Sequence, residues 1–407
     1  MAVFKNTSRW MHLIAGVIIL FFSGIIIYAW SIWKTPLLLE FQWTNAELGI
    51  NYTIMMGCFC LGGIISGNIM KKLFPKTVIY IGACLILFGF ISASLLAGQI
   101  IMLYIAYGMC CGFGIGMIYN AVISTVTSWF PDKRATASGA MMMGFGASSL
   151  VLGALVNNVI DTQGWRFCFR MFGIIIFVML FLATQFIRHN PDSLKVTHSQ
   201  IDATLNLDSK QMLGHRSFWL FYIFSALISS IGSYVISSAK DIAISVGMME
   251  WLAVMSVGIL SLFNGLARII FGLLYDAIGS KKSILITNSL AIIGVCLLIT
   301  AEFTSSIPIG LISFAAIGLS YGALPTLSSG YVSSTYGPLH FAMNFSIAST
   351  FLFPSSLSAS IGSALQSSTG NYTSVFVMLV CFSVLAFILG ILMIRTPNNY
   401  RKLEAET

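Results

Sequence analysis

The stretch from Thr77 to Pro131 reads TVIYIGACLILFGFISASLLAGQIIMLYIAYGMCCGFGIGMIYNAVISTVTSWFP and contains no charged residue. A helix that crosses a lipid bilayer needs about 20 consecutive apolar residues. At 55 residues, this stretch is long enough for two such helices, and the polar pair Gly98-Gln99 marks the break between them. The stretch therefore predicts a chain that passes through a membrane at least twice.

The composition of the whole chain agrees with this prediction. Among the 407 residues, 57% are hydrophobic and 8% are charged, and the mean hydropathy is +0.91. Soluble proteins carry about 25% charged residues. The composition excludes a soluble enzyme, a nucleic-acid-binding domain and a disordered scaffold, and it predicts an all-α membrane protein.

Twelve spans follow from the gaps between charged residues. We expect two spans in Thr77–Pro131, three in Phe303–Ile394, and one in each of Met11–Trp33, Leu48–Met70, Ala135–Ile160, Met171–Ile187, Ser217–Ala239, Trp251–Tyr275 and Ser283–Ala301. A polar stretch separates the sixth span from the seventh. We therefore predict two six-helix bundles, residues 1–187 and 217–395, with a cytoplasmic linker at 188–216 and a cytoplasmic tail at 396–407.

The positive charges give an orientation. With the N-terminus in the cytoplasm, four cations lie outside, namely Lys34, Arg166, Arg170 and Lys240, and sixteen of the 21 Lys and Arg residues lie inside. This bias follows the positive-inside rule and accounts for the net charge of +8. It predicts a multi-pass protein of the plasma (inner) membrane with both termini in the cytoplasm.

The two halves repeat a loop pattern. The loop after span two reads Gly67-Asn-Ile-Met-Lys71-Lys72-Leu-Phe-Pro-Lys76, and the loop after span eight reads Gly272-Leu-Leu-Tyr-Asp276-Ala-Ile-Gly279-Ser-Lys281-Lys282. Both begin with glycine and end with basic residues, and six spans separate them. Such repeats typically enclose a substrate site near the middle of the membrane.

The second loop resembles the signature loop of the major facilitator superfamily, G-x-x-x-D-x-x-G-x-[KR]-[KR], at Gly272, Asp276, Gly279, Lys281 and Lys282. The first loop departs from this pattern, with Lys71 at the acidic position and Phe74 at the second glycine.

Three further motifs narrow the resemblance. Tyr28-Ala29-Trp30-Ser31, Trp129-Phe130-Pro131-Asp132-Lys133-Arg134 and Asn264-Gly265-x-x-Arg268 are similar to motifs of the oxalate:formate antiporter family, which is related to monocarboxylate transporters. The resemblance covers nearly the whole chain and implies the major facilitator fold. It also implies roles in loop contacts for Asp132 and Arg134.

Arg268 is the main candidate for substrate binding. It lies within span eight, where an arginine is costly, and no Asp or Glu occurs in the middle of any predicted span. We expect its partner to be an anionic substrate, because a planar guanidinium matches the two oxygens of a carboxylate. The alternatives are a guanidinium held by helix carbonyls or one that reaches the cytoplasmic surface. In the antiporter family that the chain resembles, the matching arginine binds the substrate carboxylate.

Two positions bear on the charge of the substrate. Asn264, one helical turn before Arg268, is typically Asp in proton-coupled monocarboxylate transporters, and an amide cannot titrate. Asn264 could alternatively be a packing residue. The resemblance places Leu352 where the antiporter family often has a lysine in span eleven. With one cation instead of two, a monoanion is favoured over oxalate.

Aromatic residues complete the predicted site. The resemblance implies that spans one, four and ten face the cavity, so we expect Tyr28, Trp30, Tyr119 and Tyr321 to orient the substrate, with Asn120 and Phe145 as weaker candidates. For each of them the alternative is packing or contact with lipid. The cysteines show no CxxC or Cys/His spacing, so we predict neither a metal nor a cofactor.

The sequence as a whole predicts no enzyme, but a secondary transporter that exchanges small organic carboxylates by alternating access. Two alternatives remain: a proton-coupled lactate or pyruvate symporter, and a membrane sensor that binds a carboxylate without moving it. We expect a monomer whose partners are a small organic anion and the lipid bilayer, with no nucleic acid.

Overall fold

The computed structural model describes residues 9–43, 45–188, 190, 206–370 and 372–395. These residues form helices joined by short turns, and none of them lies in a β-strand. The predicted tail at 396–407 and most of the predicted linker lie outside the described residues.

The first half of the chain begins and ends its helices at the following residues: Arg9–Tyr28, Trp30–Phe41, Asn45–Ile69, Pro75–Ser94, Ile100–Leu103, a π-helix at Tyr104–Cys111, Gly112–Thr127, Arg134–Gln163 and Trp165–Thr184. The described helices of the second half are Ser209–Gly214, Arg216–Ser237, Ala239–Ser245, Glu250–Thr304, Ile307–Tyr336, Phe341–Ser349, Leu352–Thr369 and Thr373–Arg395.

Ten described stretches are helical, long and apolar enough to cross a membrane. One of them, Trp251–Thr304, holds spans eight and nine, because Gly279 interrupts its helix with φ 78° and ψ 176°. Span eleven consists of two helices that meet between Ser349 and Leu352. With these two additions the twelve predicted spans are confirmed.

Spans one and seven are each broken near one end by a single residue. Ala29 has φ −98° and ψ 13° and separates Arg9–Tyr28 from Trp30–Phe41. Ser238 has φ −118° and ψ 13° and separates Arg216–Ser237 from Ala239–Ser245. At the first break, the amide of Ile32 donates to the Ala29 carbonyl at 2.9 Å, a three-residue spacing tighter than that of an α-helix. Uniform apolar runs gave no sign of either break.

The π-helix of span four lies against the break in span one. Its residue Tyr107 is fully buried, and the Tyr107 hydroxyl donates to the backbone carbonyl of Ile26 at 2.8 Å. The indole of Trp33 reaches the carbonyl of Ile25 at 3.4 Å. Two side chains therefore donate to carbonyls of the turn that precedes the break, where α-helical bonding is disturbed.

The chain divides into two compact units. One comprises Met1–Ser199 with Phe341–Ile347, and the other comprises Gln200–His340 with Ala348–Thr407. The N-terminal unit thus includes most of the short helix Phe341–Ser349, whose Ser346 hydroxyl donates to the Gly63 carbonyl at 2.7 Å.

Candidate functional site

Arg268 and Asn264 are buried in span eight, the first part of helix Glu250–Thr304. Their exposed fractions are 3% and 6%. The two residues are four positions apart, so they lie on one face of the helix. The Asn264 Oδ1 is buried and accepts no hydrogen bond from the described residues. On this face, both the Arg268 guanidinium and the side-chain amide of Asn264 can donate hydrogen bonds to an anion.

Glycines of span ten bring that helix directly against span eight. A Cβ on Gly318 would lie 2.6 Å from the Leu260 carbonyl oxygen, and a Cβ on Gly322 would overlap the Asn264 carbonyl oxygen. Further along, a Cβ on Gly330 would lie 2.7 Å from the Tyr275 ring. Because the two backbones approach closely at Gly318 and Gly322, these glycines set the position of Asn264 relative to span ten.

Thr326 continues the same face of span ten. Its side-chain hydroxyl donates a hydrogen bond to the backbone carbonyl of Arg268 at 3.1 Å. Thr326 lies four residues after Gly322 and four before Gly330, and it places a polar side chain between these two glycines. It holds the backbone of Arg268 from the neighbouring helix.

Tyr321 belongs to a different face of span ten. It is half-buried, and its ring lies where a side chain on Gly232 of span seven would otherwise be. Tyr321 therefore packs against span seven, next to Gly322, which packs against span eight.

Tyr28 and Tyr119 share a neighbour in the N-terminal unit. The Phe145 ring lies 5.6 Å from the Tyr28 ring and 5.2 Å from the Tyr119 ring, measured between centroids. Phe59 lies 5.3 Å from Tyr119, and Phe345 lies 6.3 Å from Tyr119. Spans one, two, four and five and the segment 341–347 thus contribute to one aromatic cluster, which contains three sequence-predicted residues: Tyr28, Tyr119 and Phe145.

Two other candidates make packing contacts inside this unit. The Asn120 amide donates to the Gly63 carbonyl at 3.1 Å and is buried, so it links spans four and two. Trp30 is 7% exposed, and its ring lies 5.1 Å from the buried Tyr107 ring. The contacts of Asn120 and Trp30 match the packing alternative given for them above.

The loop of the second half contains one residue with an unusual backbone conformation. Gly272 is buried, whereas Asp276, Gly279, Lys281 and Lys282 are exposed. Gly279 adopts φ 78° and ψ 176°, a backbone conformation that side chains disfavour. The glycine therefore permits the turn that separates spans eight and nine.

The Trp129–Arg134 motif holds together the first residues of span one and the end of span six. Asp132 forms an ion pair with Arg9 at 2.8 Å, and the Trp129 indole donates to the Arg188 carbonyl at 2.9 Å. Trp129 also stacks on the buried His12 at 4.4 Å between centroids. Arg134 is half-buried at the start of span five.

Sequence reasoning missed Thr326, Gly322 and Tyr107. Gly318, Gly322, Thr326 and Gly330 follow one another at a spacing of four residues, which indicates close helix packing. This spacing could have identified Thr326 and Gly322. Tyr107 had no such signal, because its role depends on a break that the sequence does not mark. Among the described residues, no group of three or more His, Cys, Asp or Glu side chains is placed to hold a metal.

Twelve apolar spans, with a buried arginine in one of them, define a helical membrane carrier. The family model of the Major Facilitator Superfamily matches residues 13–239 and again 222–407. The chain therefore belongs to the major facilitator superfamily, and each half matches the family model separately. It is a transporter by family and fold, and not an enzyme.

The curated relatives include a carboxylate carrier. The oxalate:formate antiporter of Oxalobacter formigenes is 23% identical over 398 residues, which cover 94% of this chain and 92% of that protein. The uncharacterised transporter YhjX of Escherichia coli is 22% identical and covers 84% of both chains. Human monocarboxylate transporter 11 is 31% identical over 100 residues, or 25% of this chain and 21% of that protein.

Solved structures show the same fold. The proton:xylose symporter XylE bound to 6-bromo-6-deoxy-D-glucose has a TM-score of 0.76 at 14% identity, with 95% of each chain covered. The fucose:proton symporter FucP of Escherichia coli has a TM-score of 0.68 at 14% identity, with 95% of this chain and 99% of that chain covered. At this identity the likeness concerns the fold, and the predicted major facilitator fold is confirmed.

Proposed function

We propose that the chain is a secondary active transporter that exchanges small organic monocarboxylates. The observation that carries the proposal is Arg268, a guanidinium 3% exposed in the interior of an apolar helix. Burying an arginine among apolar helices costs free energy that a bound anion can offset. A carboxylate fits best, since its two oxygens can accept two parallel hydrogen bonds from one guanidinium.

Two positions, 264 and 352, support a substrate with a single negative charge. Asn264, one turn away, is an amide that is neutral at every physiological pH. Leu352, at the position where the resembling family often has lysine, is the first residue of the second helix of span eleven. Neither position therefore carries a second cation, so the second carboxylate of a dianion would form no ion pair there.

Exchange follows from the same electrostatics. A bound carboxylate would offset the desolvation of Arg268 while the carrier moves in either direction. The return of an empty carrier would move Arg268 with only the contacts that the protein itself supplies. Because Asn264 cannot carry a proton, the usual device for coupling to a proton gradient is missing at this position, which favours exchange over proton symport.

The aromatic residues are proposed to bind the remainder of the substrate. A tyrosine offers a hydroxyl that orients the ligand and a ring that contacts its apolar part. Tyr28 and Tyr119 in the N-terminal unit and Tyr321 in the C-terminal unit are the residues we propose for this role. Asn120 and Trp30 stay in the proposal as weaker members, since each has a packing contact.

Ligand-induced thermal stabilisation of the purified protein tests the proposal. Ligand binding to the folded state raises its unfolding temperature, and at a given concentration a tighter ligand raises it more. We expect formate, lactate or pyruvate to stabilise the wild type more than oxalate does, and Arg268→Ala and Arg268→Lys to remove the response. The exposed Arg170 provides a control, because Arg170→Lys should respond like the wild type. An unchanged response of Arg268→Ala would overturn the carboxylate site.

Transport assays distinguish exchange from the alternatives. Vesicles preloaded with the stabilising carboxylate should take up labelled substrate much faster than empty vesicles. Equally fast uptake by empty vesicles under a pH gradient would instead support the proton-coupled lactate or pyruvate symporter. Binding without flux under either condition would support the carboxylate sensor.

We propose a monomer in the plasma (inner) membrane, with both chain termini in the cytoplasm. The charge distribution supports this orientation, since Lys71, Lys72, Lys281 and Lys282 all occupy loops on the proposed cytoplasmic side. Reporter fusions at residue 407 and after Arg170 test it: a reporter that folds only in the cytoplasm should be active at the first site and inactive at the second.

A further inference from the structure

The basic loop, residues 70–76, connects spans two and three and has a defined backbone. The amides of Lys72 and Leu73 both donate to the Ile69 carbonyl, at 2.8 and 2.9 Å. Pro75 is buried and begins the next helix, and the Thr77 amide donates to the Phe74 carbonyl at 3.0 Å. These bonds hold the loop in a tight turn, so the direction of its side chains is set by the fold.

Four consecutive side chains of the basic loop, at residues 71–74, are exposed. Lys71 and Lys72 are exposed, Leu73 is 41% exposed and Phe74 is 78% exposed. Among the large apolar side chains of the described residues, Phe74 is the most exposed. Phe74 adjoins a turn at the end of two membrane spans, where an exposed apolar side chain gains free energy by leaving water for lipid.

The charges of the basic loop are unbalanced. No Asp or Glu occurs between Glu47 and Asp132. Within the part of the chain that the structure describes, the side chains of Lys71 and Lys72 take part in no ion pair or hydrogen bond. Lys76 donates to the Gln185 carbonyl at 2.8 Å and is further influenced by the like charge of Arg188. The turn thus presents two exposed cations that no carboxylate among the described residues pairs with.

We propose that the basic loop binds the headgroup of an anionic phospholipid. Lys71 and Lys72 would contact the phosphate, and Phe74 and Leu73 would insert between the acyl chains beside it. Clusters of cations at the end of a membrane span attract anionic lipids, and the attraction falls off over the screening length of the salt. The apolar pair adds a contact that a soluble anion or a soluble protein would not require.

The loop of the second half serves as an internal control. Lys281 and Lys282 are also two adjacent exposed lysines that follow a membrane span. The loop differs in two respects: it contains Asp276, and the residues next to its lysines are Ser280 and the buried Ser283 instead of exposed apolar side chains. Substituting either lysine pair removes the same charge, but the proposal assigns lipid binding to the first pair.

Native mass spectrometry of the full-length protein, with equal amounts of phosphatidylglycerol and phosphatidylcholine, tests the proposal. The wild type should retain more phosphatidylglycerol than phosphatidylcholine. Lys71→Gln with Lys72→Gln should lower that retention several-fold, and Lys281→Gln with Lys282→Gln should leave it near the wild-type level. Phe74→Ser should weaken retention, and Phe74→Trp should restore it.

Two results would overturn the proposal. Equal losses in both double variants would mean that general surface charge attracts the lipid, and no loss in either would mean that the loop does not bind it. Thermal unfolding in pure phosphatidylcholine checks that each variant is folded. Raised salt should reduce the retention of phosphatidylglycerol by the wild type toward that of the Lys71→Gln, Lys72→Gln variant.

Discussion

The hydroxyl of Thr326 donates a hydrogen bond to the backbone carbonyl of Arg268, at 3.1 Å. The bond joins span ten to the turn of span eight that carries the buried guanidinium. It acts on the backbone, so it can set the position of Arg268 without occupying the space that a substrate would need. Thr326 is therefore a positioning residue for the proposed carboxylate site.

Replacing Thr326 with Val keeps the shape of the side chain and removes the donor. Hydrogen bonds between membrane helices contribute about 0.5–2 kcal/mol. We expect Thr326→Val to weaken carboxylate-induced stabilisation, and Thr326→Ser to retain most of it. If Thr326→Val lowers the unfolding temperature but leaves the carboxylate response intact, the bond supports the fold and not the site.

Gly322 should not tolerate even a methyl group. An added Cβ would overlap the Asn264 carbonyl oxygen, and overpacking of this kind costs about 1–3 kcal/mol. Gly265, in the facing helix, has no atom within 4 Å of an added Cβ. We expect Gly322→Ala to lower both the unfolding temperature and substrate binding, and Gly265→Ala to change neither by much. Thermal unfolding with and without carboxylate measures both, and similar behaviour of the two variants would contradict the contact.

Tyr107 should matter for transport through its hydroxyl. Tyr107→Phe keeps the ring contacts with Trp30 but removes the donor to the Ile26 carbonyl beside the break in span one. Tyr104 gives a matched control, since its hydroxyl donates to the Glu47 carbonyl at 3.0 Å, away from the break. We expect Tyr107→Phe to reduce the initial rate of exchange more than Tyr104→Phe. Equal rates in the two variants would argue against a role for the break.

The ion pair between Arg9 and Asp132 should be weak. Its two side chains are 39% and 46% exposed, and exposed pairs contribute roughly 0.2–1 kcal/mol. A double-mutant cycle of Arg9→Gln and Asp132→Asn, followed by chemical unfolding, should give a coupling energy in this range that declines at high salt. A larger coupling that does not depend on salt would show that the pair is effectively shielded from solvent.

Tyr372 should make stability fall at alkaline pH. Burial, assisted by the negative charges of Asp241 and Glu302, raises the pKa of Tyr372 to about 12 from the ordinary 10. A raised pKa of an acid means that the folded state holds the proton more tightly than the unfolded state. The contribution of protonated Tyr372 to the free energy of unfolding is therefore full below pH 10 and is lost as the pH rises to about 12. Thermal unfolding between these values should show a smaller decline for Tyr372→Phe than for the wild type.

The sequence predicted the spans well because the bilayer imposes a simple requirement. Twelve apolar stretches between charged residues correspond to the twelve observed spans, and the glycine pattern around Gly279 indicated the turn between spans eight and nine. The spans depend on local composition, and the turn depends on a glycine. Both can be read directly from a single sequence.

The contacts of individual side chains were harder to predict. Tyr28 and Tyr119 were chosen by resemblance, and what joins them is the ring of Phe145, which comes from another helix. Asn120 lies one residue from Tyr119 yet donates to the Gly63 carbonyl. Which face of a buried helix meets which neighbour depends on packing between helices, and a run that is apolar on all sides does not show it.

The breaks at Ala29 and Ser238 bear on how the two halves are related. The two residues differ in identity, yet they interrupt the first helix of their own half with nearly the same ψ, 13° in both cases. At these two positions the halves are similar in backbone conformation although the residue types differ. The bend in the first helix of each half therefore does not depend on one particular residue type.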